Sequence, residues 1–410
     1  MPLTLYVDTA AWQEHLRAEM ASDPGLVPVV KGNGYGFTVP LLIRTAADLG
    51  APRIAVGTCG DAAVAVRTFP GDVIVLQMCA ETDRPVPDTG RRVLYTAGSV
   101  QAAARLAGHR LIVDCRTSLG RQGITEADLA GLGRVTDGGR AIEAFSLHLP
   151  IDRPAGTDPV AQTAHWVSAL MAACYQVPTM YVSHLESAEV AALAAAFPGT
   201  EFRQRIGTRL WLGERSALRA AATVLQVTPV RRGERFGYRQ HRSRRYGWLV
   251  TVAGGTAHGV GLEASRAPRG LKAEARILAR AGLAAAGRVR SPFIWAGHKL
   301  WFAESPHMLV SMLLLPGGRQ PPEPGAEVEA ELGYTMTRFD RICPPACRWP
   351  AEAHRRSHAE VRWPQGRLSV LSSADIISDP PIKPSAAVSV QRRPLSGVFA
   401  VPLEEDARAV

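Results

Sequence analysis

Lys31 closes a short aliphatic run, "LVPVV", and is followed at once by Gly-Asn-Gly-Tyr-Gly. A lysine in an apolar setting loses solvation, so its amine gives up a proton more easily and can act as nucleophile or base. The glycines strip bulk from the loop, which lets a ligand approach the backbone closely. A strand-end lysine commonly just reaches solvent. Here the preceding run reads as buried on both faces, and its end would lie where barrel enzymes place their chemistry. The combination points to a lysine that forms an aldimine.

Such a lysine needs a scaffold. Over residues 1–220, short aliphatic runs alternate with Ala-rich amphipathic stretches. The strand candidates are "VPVVK", "RIAVGT", "DVIVLQ", "RLIVDC", "AFSLHL", "TMYVSHL" and "FRQRIG", with helix candidates such as "LLIRTAADLG" and "AEVAALAAAF" between them. Repeated βα units argue a parallel sheet. Seven or eight in this length fit a (β/α)₈ barrel better than a doubly wound sheet, which periodicity alone leaves open. From 221 to 343, "TVLQVTPVRRGERFGYR", "GWLVTVAGG" and "HMLVSMLLLP" read as strands with Gly-rich turns, a second and mostly β domain. Residues 344–410 carry many prolines and few periodic apolar segments, and are expected to be a disordered tail.

The composition bounds the partners. The formal charge is +10, yet the arginines are spread along the chain without interleaved aromatics or a nucleic-acid motif, so nucleic acid is not expected. No apolar run could span a bilayer and the start lacks the pattern of a signal peptide, so a cytoplasmic protein is expected. The six cysteines lack zinc-ligand pairing; Cys343 and Cys347 have no second pair, and no metal is expected.

The loop "VVKGNGYG" resembles the lysine motif of the alanine racemase family, fold-type III pyridoxal-phosphate enzymes. The likeness continues in order through "VDCRTSLGRQGI", with two extra residues before Arg121, then "SLHLPID", "FRQRIGTRLWLG" and "GERFGYR", covering residues 3–343. It implies that Lys31 holds pyridoxal 5'-phosphate as an aldimine and serves as one base. By the same resemblance Tyr35, Ser187 (or the nearby Ser183) and the Gly207 and Thr208 amides would bind phosphate. His148 would pack beside the pyridine ring, Arg121 would meet its phenolic oxygen and Arg205 its nitrogen. Arg121 and Met308 would also meet the substrate. The implied activity is amino-acid racemisation, alanine foremost, by a cytoplasmic homodimer with shared sites that supplies D-amino acids for the cell wall.

The resemblance breaks where the family carries its second base. The matching stretch is "AGGTAHG", which puts Thr256 at the tyrosine position and His258 two residues on. A threonine hydroxyl is too weak an acid or base for the task, whereas a histidine titrates near neutrality. His258 is thus the candidate second base, beside the alternative of a histidine capped by a backbone group. The family's Met-Asp pair reads Met308-Leu309, and its carbamylated lysine has no counterpart in "RLIV". Two further readings stay open: a one-base enzyme of the same fold type (decarboxylase, aldolase or dehydratase), and a pyridoxal-phosphate-binding protein without turnover.

Overall fold

The computed structural model describes residues 2–77, 85–87, 91–262 and 289–343. The expected tail, 344–410, lies outside the described residues, as does Cys347. The first strand, β1 (Leu3–Val7), does not enter the barrel; it pairs antiparallel with β10 (Leu218–Val230) and parallel with a strand at Arg341–Cys343. The barrel is built from β2 (Val27–Val30), β3 (Arg53–Val56), β4 (Asp72–Val75), β5 (Val93–Ala97), β6 (Arg110–Cys115), β7 (Ile142–Leu147), β8 (Thr179–Val182) and β9 (Glu201–Ile206). Each pairs in parallel with the next, and β9 closes on β2 through Val27↔Arg205. The eighth barrel strand missing from the sequence candidates is β5, "VLYTA", which follows directly on "GRR".

Alternation along the strands sorts side chains to two sides. One set, including Val30, Val56, Val113, Phe145 and Ile206, packs with the helices in the main core. The other, Val27, Val29, Ala55, Ile74, Leu94, Ile112, Ala144 and Tyr181, fills the lumen as an apolar layer. Two residues further along the same strands, the lumen turns polar: Lys31, Thr96, Asp114, Ser146 and Ser183, joined by Arg205 from β9. The apolar layer seals the lumen below, so the chemistry can only face the C-terminal mouth.

Beyond the barrel come the hairpin β11 (Arg235–Phe236) and β12 (His241–Arg242), then β13 (Gly247–Ala253), β14 (Arg290–Trp295), β15 (His298–Phe302), β16 (Val310–Pro316), β17 (Glu327–Ala330) and β18 (Arg341–Cys343). Apart from the hairpin they join β1 and β10 in an eight-stranded sheet, ordered β13-β16-β15-β14-β17-β10-β1-β18. The architecture is therefore a (β/α)₈ barrel with a mostly β, largely antiparallel domain after it. The lysine loop touches that domain directly: Asn33 Nδ2 donates to the Tyr334 carbonyl (2.9 Å) and to the Thr337 carbonyl (2.6 Å). Among the described residues no helix is long and apolar enough to cross a membrane.

Candidate active site

Lys31 continues the lumen side of Val27 and Val29, and its Cβ lies next to Gly57 at the end of β3. The amine opens toward the mouth. Its partial burial, with the Arg121 and Arg205 charges, holds it below the ordinary lysine value. This is the direction that a nucleophilic amine requires.

Arg205 stands on β9, the strand beside β2. Its Nη2 donates to the Leu147 carbonyl (3.0 Å), and burial lowers its pKa against the raising fields of Asp114 and Tyr181. Asp114 lies on the same polar layer. Burial raises its pKa, while Arg205, the Ser146 hydroxyl (2.6 Å) and Arg121 pull it back down. Arg121 sits on the exposed loop after β6 and acts on Lys31, Asp114 and His148 through its charge.

His148 follows β7. Ser183 Oγ lies 2.8 Å from its Nδ1, and Thr117 Oγ1 donates to its carbonyl (2.7 Å). Its pKa is lowered to about 4 by burial, then by Arg205, His184, Arg121 and Lys31. The folded ring therefore stays neutral where the unfolded chain, titrating near 6.5, takes up a proton. Above that range both states are neutral, so stability should be level and then fall as pH drops from about 6.5 toward 4. Urea midpoints across this window should show the decline, and His148→Asn should make it shallower. An equal decline in both proteins would contradict the burial of this ring.

Tyr35 is 6 % exposed, takes a left-handed conformation (φ 55°) and has its phenol pKa raised by burial. Its hydroxyl covers Gly207, where a Cβ would overlap it. Just beyond Gly207 the helix Thr208–Leu212 begins, and its first amides have no intrahelical acceptor. The Tyr35 phenol, Gly207 and the first amides of this helix thus lie together at the C-terminal end of β9. Ser187 is exposed at the start of helix Ser187–Ala196, whereas Ser183 is buried and engaged with His148. Thr96 Oγ1, buried on the polar layer, has no partner among the described residues.

This donor set suits an aldehyde-bearing pyridine phosphate. It offers one amine held below its ordinary pKa, two permanent cations, and a phenol beside the amides of a helix start. Lys31, Tyr35, Arg121, His148, Arg205, Gly207 and Thr208 thus share one mouth.

His258 and Met308 sit elsewhere. His258 is 8 % exposed; its Nδ1 accepts from the Gly255 amide (3.2 Å) and its Nε2 lies 3.0 Å from Asp340 Oδ1. Asp340 Oδ2 also accepts from the Leu3 amide (2.8 Å), so this histidine ties a turn to β1. Both ring nitrogens are engaged, which is the capped arrangement rather than that of a free base. Met308, 73 % exposed, lines with Thr256, Tyr238, Glu304 and His307 a surface cavity of about 620 Å³ that includes none of the mouth residues.

Sequence reasoning passed over Asp114, Thr96 and His184. The first two could have been found by counting in twos from the apolar layer. His184 could not: "TMYVSHL" reads as strand to its end, but β8 stops at Val182 and His184 turns to φ 62°.

A family model described as alanine racemase, N-terminal domain, matches residues 7–211. Among solved structures, the alanine racemase from Bacillus anthracis with bound L-Ala-P is 18 % identical, with a TM-score of 0.57 over 80 % of this chain and 84 % of that one. The alanine racemase from Bartonella henselae with covalently bound pyridoxal phosphate is 18 % identical, with a TM-score of 0.57 over 82 % and 91 %. A histidine racemase from Leuconostoc mesenteroides is 15 % identical, with a TM-score of 0.53 over 80 % and 87 %. At these identities the likeness is one of fold. None of the curated proteins compared matches the chain.

Proposed function

Because the chain belongs to the alanine racemase family, we propose that it binds pyridoxal 5'-phosphate at the barrel mouth and racemises an amino acid, alanine foremost. The observation that carries this is Lys31, an amine held below its ordinary pKa at the end of a barrel strand and faced by two arginines. Lys31 would hold the aldehyde, Arg205 the ring nitrogen, Arg121 the phenolic oxygen, and Tyr35, Ser187, Gly207 and Thr208 the phosphate. When bound, the cofactor draws electrons from the amino acid's Cα and makes its proton acidic.

The chain's own groups do the rest. The depressed Lys31 amine takes or returns the Cα proton. Arg205 cannot release its proton at working pH, so it would offer only donors to the ring nitrogen. A weaker electron sink of this kind suits simple proton exchange and disfavours bond-breaking side reactions. The neutral His148 supports the ring without adding charge.

A homodimer whose second copy brings Met308 and its cavity to the mouth is part of this proposal, as is a cytoplasmic role supplying D-amino acids for the cell wall. Thr256 at the position of the family's tyrosine favours one second reading, a one-base enzyme on the same site. Solvent-deuterium incorporation at Cα of alanine, serine, lysine and glutamate separates them. Incorporation with inversion supports racemisation, and incorporation with retention supports the one-base reading. If alanine neither exchanges nor racemises, alanine racemisation is wrong.

A further inference from the structure

We propose that Asn33 is a positioning residue, which clamps the lysine loop to residues 333–340 of the β domain and so holds the Lys31 amine at the barrel mouth. This rests on the reading of Lys31 as the cofactor lysine.

The loop between β2 and the helix Val39–Asp48 is costly to hold. Gly34 and Gly36 have φ of 66° and 91°, which glycine adopts freely. Tyr35 and Thr38 share the left-handed sign, at 55° and 81°, without that freedom. A positive φ is an outlier for a β-branched residue, and such strain persists only where the surroundings over-determine the backbone. Inside the loop the Gly34 amide donates to the Lys31 carbonyl (3.1 Å) and the Phe37 amide to the Gly34 carbonyl (2.8 Å). The two ends are held by Trp211 on Val29 and by Trp12 on Phe37. The middle falls to Asn33.

Asn33 matches its partners. An asparagine amide nitrogen carries two donors, and here it meets two backbone carbonyls, those of Tyr334 and Thr337, at 2.9 and 2.6 Å. Beside them the Phe339 ring covers Gly36, where a Cβ would lie 3.1 Å from its Cε2. Residues 333–340 are themselves anchored from behind. The Met336 amide (2.9 Å) and the Thr337 hydroxyl (3.0 Å) donate to the Gly333 carbonyl. The Arg338 amide donates to the His258 carbonyl (3.2 Å), and Asp340 engages both His258 Nε2 and the Leu3 amide. His258 thus secures the far side of the clamp.

Lys31 stands two residues before Asn33 and Tyr35 two after it, so one side chain fixes the backbone that carries both. With the loop clamped, the amine stays where Arg121 and Arg205 act on it, and His148 and His184 lie within its field. A freed loop would give the amine more water and weaken those charges.

Asn33→Ala tests this, since the two tryptophan anchors should keep the variant folded. The first readout needs no cofactor: trace labelling of Lys31 with acetic anhydride, followed against pH by mass spectrometry. The pH of half-labelling should rise toward the ordinary 10.5. The second is the rate at which pyridoxal phosphate forms a borohydride-reducible adduct on Lys31, which should fall about 10- to 100-fold. An unchanged half-labelling pH with an adduct rate within twofold of wild type would overturn the assignment. A lower urea midpoint with an unaltered lysine would also overturn it, because Asn33 would then be structural only. Should Asn33→Ala not fold, Asn33→Ser keeps one donor and should shift both readouts in the same directions. Failure of the cofactor reading is distinguishable: wild-type Lys31 would then form no adduct, and the half-labelling pH alone would decide the clamp.

Discussion

Lys31→Ala should abolish amino-acid turnover, with a loss of at least about 1,000-fold, because one substitution removes both the covalent anchor and a proton-transfer group. The fold should survive. Lys31 opens to the mouth, and the site loses a cation that its neighbours Arg121 and Arg205 repel. The variant should therefore unfold at a urea concentration no lower than the wild type does. It should also lack the absorbance of a lysine-linked cofactor at saturating pyridoxal phosphate. Turnover within tenfold of wild type would remove Lys31 from the centre of the chemistry; lost turnover with lost folding would make the lysine structural.

The second large effect falls on stability. Trp211→Ala should cost about 3–5 kcal/mol, the range for truncating a buried aromatic ring. Trp211 is 0 % exposed, and its Nε1 donates to the Val29 carbonyl (2.7 Å), two residues before Lys31. Its own carbonyl accepts from Trp12 Nε1 (2.9 Å), and Trp12 stacks on Phe37 with centroids 4.6 Å apart. The lysine loop, the helix Thr9–Ser22 that carries Trp12, the helix after Gly207 and β2 are thereby locked to one another. Trp211→Phe should keep much of the packing and lose the hydrogen bond, at about 1–3 kcal/mol for the stranded acceptor. Chemical denaturation of both variants checks this. If alanine and phenylalanine cost the same, the hydrogen bond and not the packing carries the brace.

The two domain textures, and most of the barrel, could be read from the chain because buried strands leave a simple trace. "VPVVK" and "RLIVDC" are short, apolar and separated by helices. β5 escaped because "VLYTA" begins straight after two arginines, and β1 because five residues carry no record of a partner more than 200 positions away. Motif order singled out Lys31, Arg205 and His148, and the fold brings them close enough for their charges to act on one another. His258 shows the limit of that approach: the motif fixes its position, but only packing shows Gly255 and Asp340 at its two nitrogens. His184 was hidden for the opposite reason, since a left-handed turn braced by Arg153 has no signature in residue type.

The most direct measurement is to incubate the protein with pyridoxal phosphate, reduce it with borohydride and map the modified peptide by mass spectrometry. A single pyridoxyl group on Lys31, absent from Lys31→Ala, is the predicted result. A label on another lysine, or no stable label at saturating cofactor, would contradict the account of this site.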